Sequence, residues 1–189
     1  MLVDHIGYII FPDVLIFRLI GRIAMPIFAF FIGEGCLYTK NRKKYFLRVF
    51  ILGLICQAVY VAESFITKSD SGLYLNILLT FSLSIVLCSS FLYFKENRQS
   101  DSGIKFRSTT AFILCVIAVL LIEIFCENSI DITGINIEFD YGIFGISLPL
   151  FAALSKNKRT KLISFSAAQI AFGFSFYSTG SLYLCSLIP

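Results

Sequence analysis

Two long apolar runs, Tyr45–Ile66 and Leu73–Phe94, set the pattern of the chain. Neither shows the strict in-and-out alternation that a membrane strand requires. Read as helices, 22 residues rise about 33 Å, enough to cross the hydrocarbon of a bilayer. A backbone in lipid must satisfy its own hydrogen bonds, so these runs are predicted to be helices. Val14–Leu37, Thr109–Phe125, Tyr141–Ser155 and Leu162–Tyr177 continue the pattern. The expected fold is an all-α, polytopic integral membrane bundle of about six full spans, with partial helices at both termini. Met1–Phe11 stops at Pro12 after about half a span, and Ser181–Pro189 is a short stub after the turn signal Ser178–Gly180. Met1–Phe11 also lacks the basic n-region of a signal peptide. The expectation is one transmembrane domain over residues 1–189, clipped at both ends.

Composition agrees with the pattern. The chain is 57% hydrophobic and 15% charged, with mean hydropathy +0.83, whereas soluble domains run about 45–50% apolar and about 25% charged. Disorder is excluded, and no length remains for a separate soluble domain or a nucleic-acid surface. The net charge of +4 matters less than its placement. Residues 38–48 carry Lys40, Arg42, Lys43, Lys44 and Arg48 with no acid, and residues 155–161 carry Lys156, Lys158, Arg159 and Lys161 with none. Residues 95–107 hold Lys95, Arg98, Lys105 and Arg107 against Glu96 and Asp101. The alternate connections are nearly neutral at 65–72 and acidic at 123–140. Positive loops stay cytoplasmic, which places 38–48, 95–107 and 155–161 inside.

The six cysteines, Cys36, Cys56, Cys88, Cys115, Cys126 and Cys185, form no CxxC pair, and one histidine gives no support to a zinc cluster. They are read as small hydrophobes, and no metal site is expected. Ionisable groups inside membrane segments are candidates for function. The densest set is Asp4, His5, Arg18, Arg22 and Glu34. Arg18 and Arg22, four apart, share a helix face that can meet Asp4 and His5 across the Pro12–Asp13 turn. Ion pairing that only holds this hairpin is the plain alternative. Asn76, Thr80 and Ser84 form a polar stripe at steps of four, with Gln57, Ser166, Gln169 and Gly173 at compatible positions. Helix–helix contact is the simpler use for these. Gly142, Gly145 and Pro149 suggest a closely packed or bent segment at Tyr141–Ser155. The cluster Lys40–Lys44, with Arg42 and Lys43, either anchors the chain at anionic headgroups or binds the phosphates of a nucleotide-containing donor.

The runs Asp4-His5-Ile6-Gly7, Phe11-Pro12, Gly21-Arg22-Ile23-Ala24-Met25-Pro26-Ile27-Phe28-Ala29-Phe30, Glu34-Gly35 and Thr39-Lys40-Asn41-Arg42-Lys43-Lys44-Tyr45 together resemble the TraX family. Downstream, Asn76-Ile77-Leu78 with Thr80, and Asp140-Tyr141-Gly142 with Gly145, follow in that family's order. The resemblance is dense over the first 60 residues and collinear afterwards. It implies a bacterial inner-membrane protein similar to one that acetylates the N-terminal amine of a conjugative pilin, and more distantly to membrane acyltransferases. It also implies that family members extend beyond both ends of this sequence.

Carried over, the resemblance implies acyl transfer from acetyl-CoA or another acyl-CoA, used as co-substrate with no permanently bound cofactor, to an amine or hydroxyl acceptor such as a pilin. His5 would be the catalytic base and Asp4 its neighbour, while Arg18 and Arg22 engage the donor. Glu34, Lys40, Arg42, Lys43 and Asn76 complete the expected substrate- and donor-binding set. The rival readings are a transporter or channel, and a non-catalytic membrane component of a conjugation or secretion apparatus. The lipid bilayer is the expected partner under every reading.

Overall fold

A computed structural model of the chain describes the backbone of residues 15–67, 73–128, 137–139 and 141–177, and the side chains of 24–62, 75–126, 128, 139 and 141–172. Six helices occur among the described residues: α1 (Leu15–Tyr38), α2 (Arg42–Thr67), α3 (Ile77–Glu96), α4 (Ser102–Glu127), α5 (Gly142–Ala153) and α6 (Lys158–Tyr177). Three of them begin on asparagine caps. Asn41 Oδ1 accepts from Lys44 N at 3.0 Å, Asn76 Oδ1 from Leu78 N and Leu79 N, and Asn157 Oδ1 from Arg159 N at 3.2 Å. Each satisfies an N–H that the first helical turn leaves without an internal partner.

The expected all-α architecture holds, but the count of full spans does not. Among the described residues, three helices are long and apolar enough to cross a membrane: Arg42–Ala62, Ile77–Glu96 and Ser102–Cys126. Gly142–Ala153 is a shorter apolar helix, and Ala24–Tyr38 is the apolar part of α1 whose side chains are described. At 1.5 Å per residue the 12 residues of α5 cover only about 18 Å. Helix α6 opens on Lys158, Arg159 and Lys161 and carries Ser164, Ser166 and Gln169, which lowers its mean hydropathy. The three long apolar helices are those of a membrane protein. Partial helices at the termini were expected over Met1–Phe11 and Ser181–Pro189, and these lie outside the described residues.

A second departure concerns Leu73–Phe94. Helix α3 starts only at Ile77, because Leu73–Leu75 forms a short strand, β1, paired in parallel with β2 (Ile137–Phe139). The register sets Leu73 opposite Ile137 and Leu75 opposite Phe139. Pairing over three residues leaves hydropathy almost unchanged, so the apolar run hides it.

Helix α3 is the centre of the bundle. Half of its span is buried, against 6% for the spans of α2 and α4. It packs on α5, α2, α4 and α1, and α5 packs in turn on α1 and α6. Met25, Ala29, Phe81, Phe144, Leu148 and Phe165 meet in the main core cluster. Close approach of α1 to α5 depends on Gly33. A Cβ there would collide with the Pro149 carbonyl oxygen and lie 2.6 Å from Ala152 Cβ. Pro149 has no N–H, so the Gly145 carbonyl loses its usual intrahelical donor. Ser84 Oγ, on α3, sits 3.2 Å from that oxygen and 3.1 Å from Thr80 O, and it supplies the missing partner from a neighbouring helix.

The N-terminus of α5 is held by a carboxylate distant in sequence. Glu123 Oε1, on α4, accepts from Ile143 N at 2.9 Å. Tyr141 and Gly142 both have positive φ, 61° and 47°. A Cβ on Gly142 would come 2.6 Å from Glu123 Oε1, so glycine serves both the backbone conformation and the carboxylate's approach.

Candidate functional site

The four residues nearest the expected chemistry divide between two categories. Asp4 and His5 lie outside the described residues. Arg18 and Arg22 belong to the backbone of α1, whose 3.6-residue turn keeps them on one face, while their side chains lie outside the described set. The expected meeting of Asp4 and His5 with the two arginines therefore falls outside the described residues. Pro26, one turn beyond Arg22, removes the N–H that would otherwise bond the Arg22 carbonyl.

Glu34 has a definite partner. Between Gly33 and Gly35 on α1, its Oε1 pairs with Nζ of Lys161, one turn into α6. The lysine side chain is 3% exposed and the glutamate 25%, so both charges are largely withdrawn from solvent and need each other. Lys161 Nζ also lies 5.4 Å from the centroid of the Tyr38 ring, within cation–π range. Phe30 and Phe165 meet edge to face one turn deeper, with centroids 5.4 Å apart. Gly35 admits the Tyr45 hydroxyl, which a Cβ would approach to 2.5 Å. Sequence reading counted Lys161 as a loop cation. Its signal was the lone acid in the apolar stretch of α1, which demanded a cation from elsewhere.

Arg42 is committed within the protein. Its Nη2 donates to Glu96 Oε1 at 2.6 Å and its Nη1 to Oε2 at 3.4 Å, while Nε donates to the Cys36 carbonyl at 3.3 Å. Lys95 Nζ donates to the Leu154 carbonyl at 2.6 Å. With Glu34–Lys161, these contacts tie the ends of α1, α3 and α5 to the starts of α2 and α6, forming one basic end of the bundle. Lys40 and Lys43 are exposed there, whereas Arg42 is half-buried.

Asn76 is also fully engaged. Its Oδ1 accepts two N–H groups of α3, its Nδ2 donates to Gly53 O at 2.8 Å and to Gln57 Oε1 at 3.1 Å, and its own N–H donates to Gln57 Oε1 at 2.9 Å. A carboxamide offers two donors and about two acceptor positions, so the side chain is occupied in joining α2 to α3. Of the cysteines, Cys36 and Cys88 are buried in a common core cluster as apolar groups. Among the described residues, no set of three His, Cys, Asp or Glu side chains gathers as metal ligands do.

Comparison with known proteins covers the whole chain. A family model described as "TraX protein" matches residues 1–189. An uncharacterized protein of Rickettsia prowazekii (strain Madrid E) is 30% identical over 165 residues, which cover 86% of this chain and 54% of that protein. A probable fimbrial assembly protein FimC, serogroup H1, of Dichelobacter nodosus is 32% identical over 75 residues, covering 36% of this chain and 31% of that one. The chain thus spans about half or less of these relatives' lengths. No solved structure matches it.

Proposed function

Because the chain belongs to the TraX family, we propose that it is a membrane-embedded acyltransferase that moves acetyl, or another acyl group, from acyl-CoA to an amine or hydroxyl presented at the membrane. The acceptor class we favour is the N-terminus of a pilin-like protein, since one relative is named as a probable fimbrial assembly protein. The observation that carries the reading is the match to the family along all 189 residues. It includes the segment that brings a histidine and two arginines into an apolar chain.

In this mechanism the acceptor nitrogen or oxygen attacks the thioester carbonyl while the His5 imidazole takes its proton. The C–S bond then breaks, and the proton leaves with the CoA thiol. Positioned proton transfer of this kind contributes about 10²–10⁴-fold. Arg18 and Arg22 stabilise the developing oxyanion or grip the donor, where preorganised charge is worth several kcal/mol. Asp4 is assigned to pair with one of these arginines; were residues 4 and 5 helical, their side chains would point about 100° apart, which disfavours Asp4 as the group that orients His5. Lys40 and Lys43, exposed at the basic end, attract the donor's phosphates. Arg42, Glu34 and Asn76 act by position, through the partners already described. Arg22 and Tyr38 are 16 residues apart on α1, about 24 Å along its axis, so a donor held at the basic end must extend inward to reach the arginines. The basic end faces the cytoplasm of a bacterial inner membrane, as the positive-inside rule requires.

His5→Gln keeps size and polarity but removes the base. With normal insertion, it is expected to lower acyl transfer by a hundredfold or more in membranes holding the full-length protein. Full transfer by that variant would remove the mechanism. The name of the fimbrial assembly relative also suits a second reading, a non-catalytic membrane component of an assembly apparatus. That reading expects no binding of acyl-CoA by the purified protein.

A further inference from the structure

We propose that the basic end of the bundle is a seat for acidic phospholipids, whose phosphates lie on two exposed cation groups and whose chains lie along the adjoining helix faces. The seat shares Lys40 and Lys43 with the donor contact proposed above, whereas its half at Lys156, Lys158 and Arg159 does not depend on that reading. The contacts Arg42–Glu96, Lys95–Leu154 and Lys161–Glu34 bring the 39–41 and 154–157 connections to the same end of the bundle. They also use up the local carboxylates of Glu34 and Glu96. Asp101, at the start of α4, is the remaining acid of this end. Lys40, Lys43 and Lys44 on one side, and Lys156, Lys158 and Arg159 on the other, stay exposed with no carboxylate in ion-pair range among the described residues. Six like charges on one rim repel one another and attract an anion.

What the helices do next identifies the anion. Lys43 is followed at steps of four by exposed Leu47 and Ile51 on α2, and Arg159 by exposed Ile163 and Ala167 on α6. Helix α1 also presents Phe31 and Tyr38, both well exposed. Each cation group therefore runs directly into an uncovered apolar face. A molecule with a phosphate at one end and hydrocarbon at the other matches both parts, and an acidic phospholipid is such a molecule. A soluble polyphosphate matches only the first part. Basic clusters at a membrane boundary recognise anionic headgroups by this arrangement.

The test uses purified full-length protein in nanodiscs of phosphatidylcholine, alone or mixed with phosphatidylglycerol. Native mass spectrometry reads the lipids that stay bound. Phosphatidylglycerol is expected to be retained several-fold over phosphatidylcholine, and high salt should abolish the preference, because exposed charges are screened over about 10 Å or less. The variants K43Q/K44Q and K158Q/R159Q should each lose part of the preference and the combination nearly all of it. The salt titration needs no variant, so it decides the matter even if neutralised chains insert poorly. Equal retention of the two lipids, or a preference indifferent to salt, would overturn the proposal. 3′,5′-Adenosine bisphosphate, which carries the donor's phosphates, is expected to displace only the retention that K43Q/K44Q also removes, and displacement of all retained phosphatidylglycerol would overturn the proposal by assigning both cation groups to a soluble polyanion.

Discussion

Replacing Gly33 with valine is expected to break the contact between α1 and α5. Any Cβ at this position meets the backbone oxygen of Pro149 and the Cβ of Ala152. Neither neighbour is the movable end of a flexible side chain, so the helices must separate. Overpacking a core usually costs about 1–3 kcal/mol. Here the obstacle is main chain, and α5 is also the helix whose Gly145 carbonyl depends on Ser84 across the interface. Small residues that let backbones approach are a main source of helix association in membranes, where lipid is as apolar as leucine. The expected cost is therefore at or beyond the top of that range. Thermal unfolding of the purified protein would read it as a melting temperature lowered by several degrees or as failure to accumulate. Gly103→Ala is the control: nothing lies within 4 Å of a Cβ there, and relief of glycine's backbone entropy in a helix is worth about 0.5–1 kcal/mol. A Gly33 variant as stable as the Gly103 variant would contradict the packing.

Loss of one member of the Glu34–Lys161 pair should be at least as damaging. Removing one partner of a buried pair costs about 3–5 kcal/mol, because the other charge is left without compensation. Lys161→Met is expected to strand the glutamate, and Glu34→Gln to strand an ammonium that is 3% exposed. Joint replacement removes both charges at once, and apolar substitutes for buried pairs are often neutral or stabilising. The double variant should therefore recover most of the stability lost by Lys161→Met alone. A double-mutant cycle on melting temperature reads the coupling directly. Strict additivity would mean that the two groups do not compensate each other.

Hydropathy was enough to place most helices within a few residues, since α2, α3 and α4 are long apolar runs. It overstated the number of spans because an apolar stretch as short as α5 has the composition of a span without its length. What the sequence could not display were contacts between residues far apart in the chain. Lys161 looked like one more loop cation, and only the packing of α6 on α1 reveals it as the partner of Glu34. Glu123 looked like part of an acidic outer connection, yet it caps α5. For Asn76 the simpler reading, helix–helix contact, is the one the structure displays, since its side chain joins α2 to α3. Arg42 looked available for phosphates and is committed to Glu96. Glu34 and Asn76 were singled out as polar groups inside apolar segments, whereas Lys161 and Glu123 were read only as charges of the connections; in every case the partner lay about twenty residues or more away. The expected cluster of Asp4, His5, Arg18 and Arg22 rests on sequence and family alone.

The most direct measurement follows labelled acetyl-CoA added to membranes that hold the full-length protein. The expected result is transfer of label into a membrane-held acceptor, at a rate that rises with the amount of protein and is absent from membranes without it. Label that remains in CoA, or is released as acetate with no labelled acceptor, would contradict an acyltransferase.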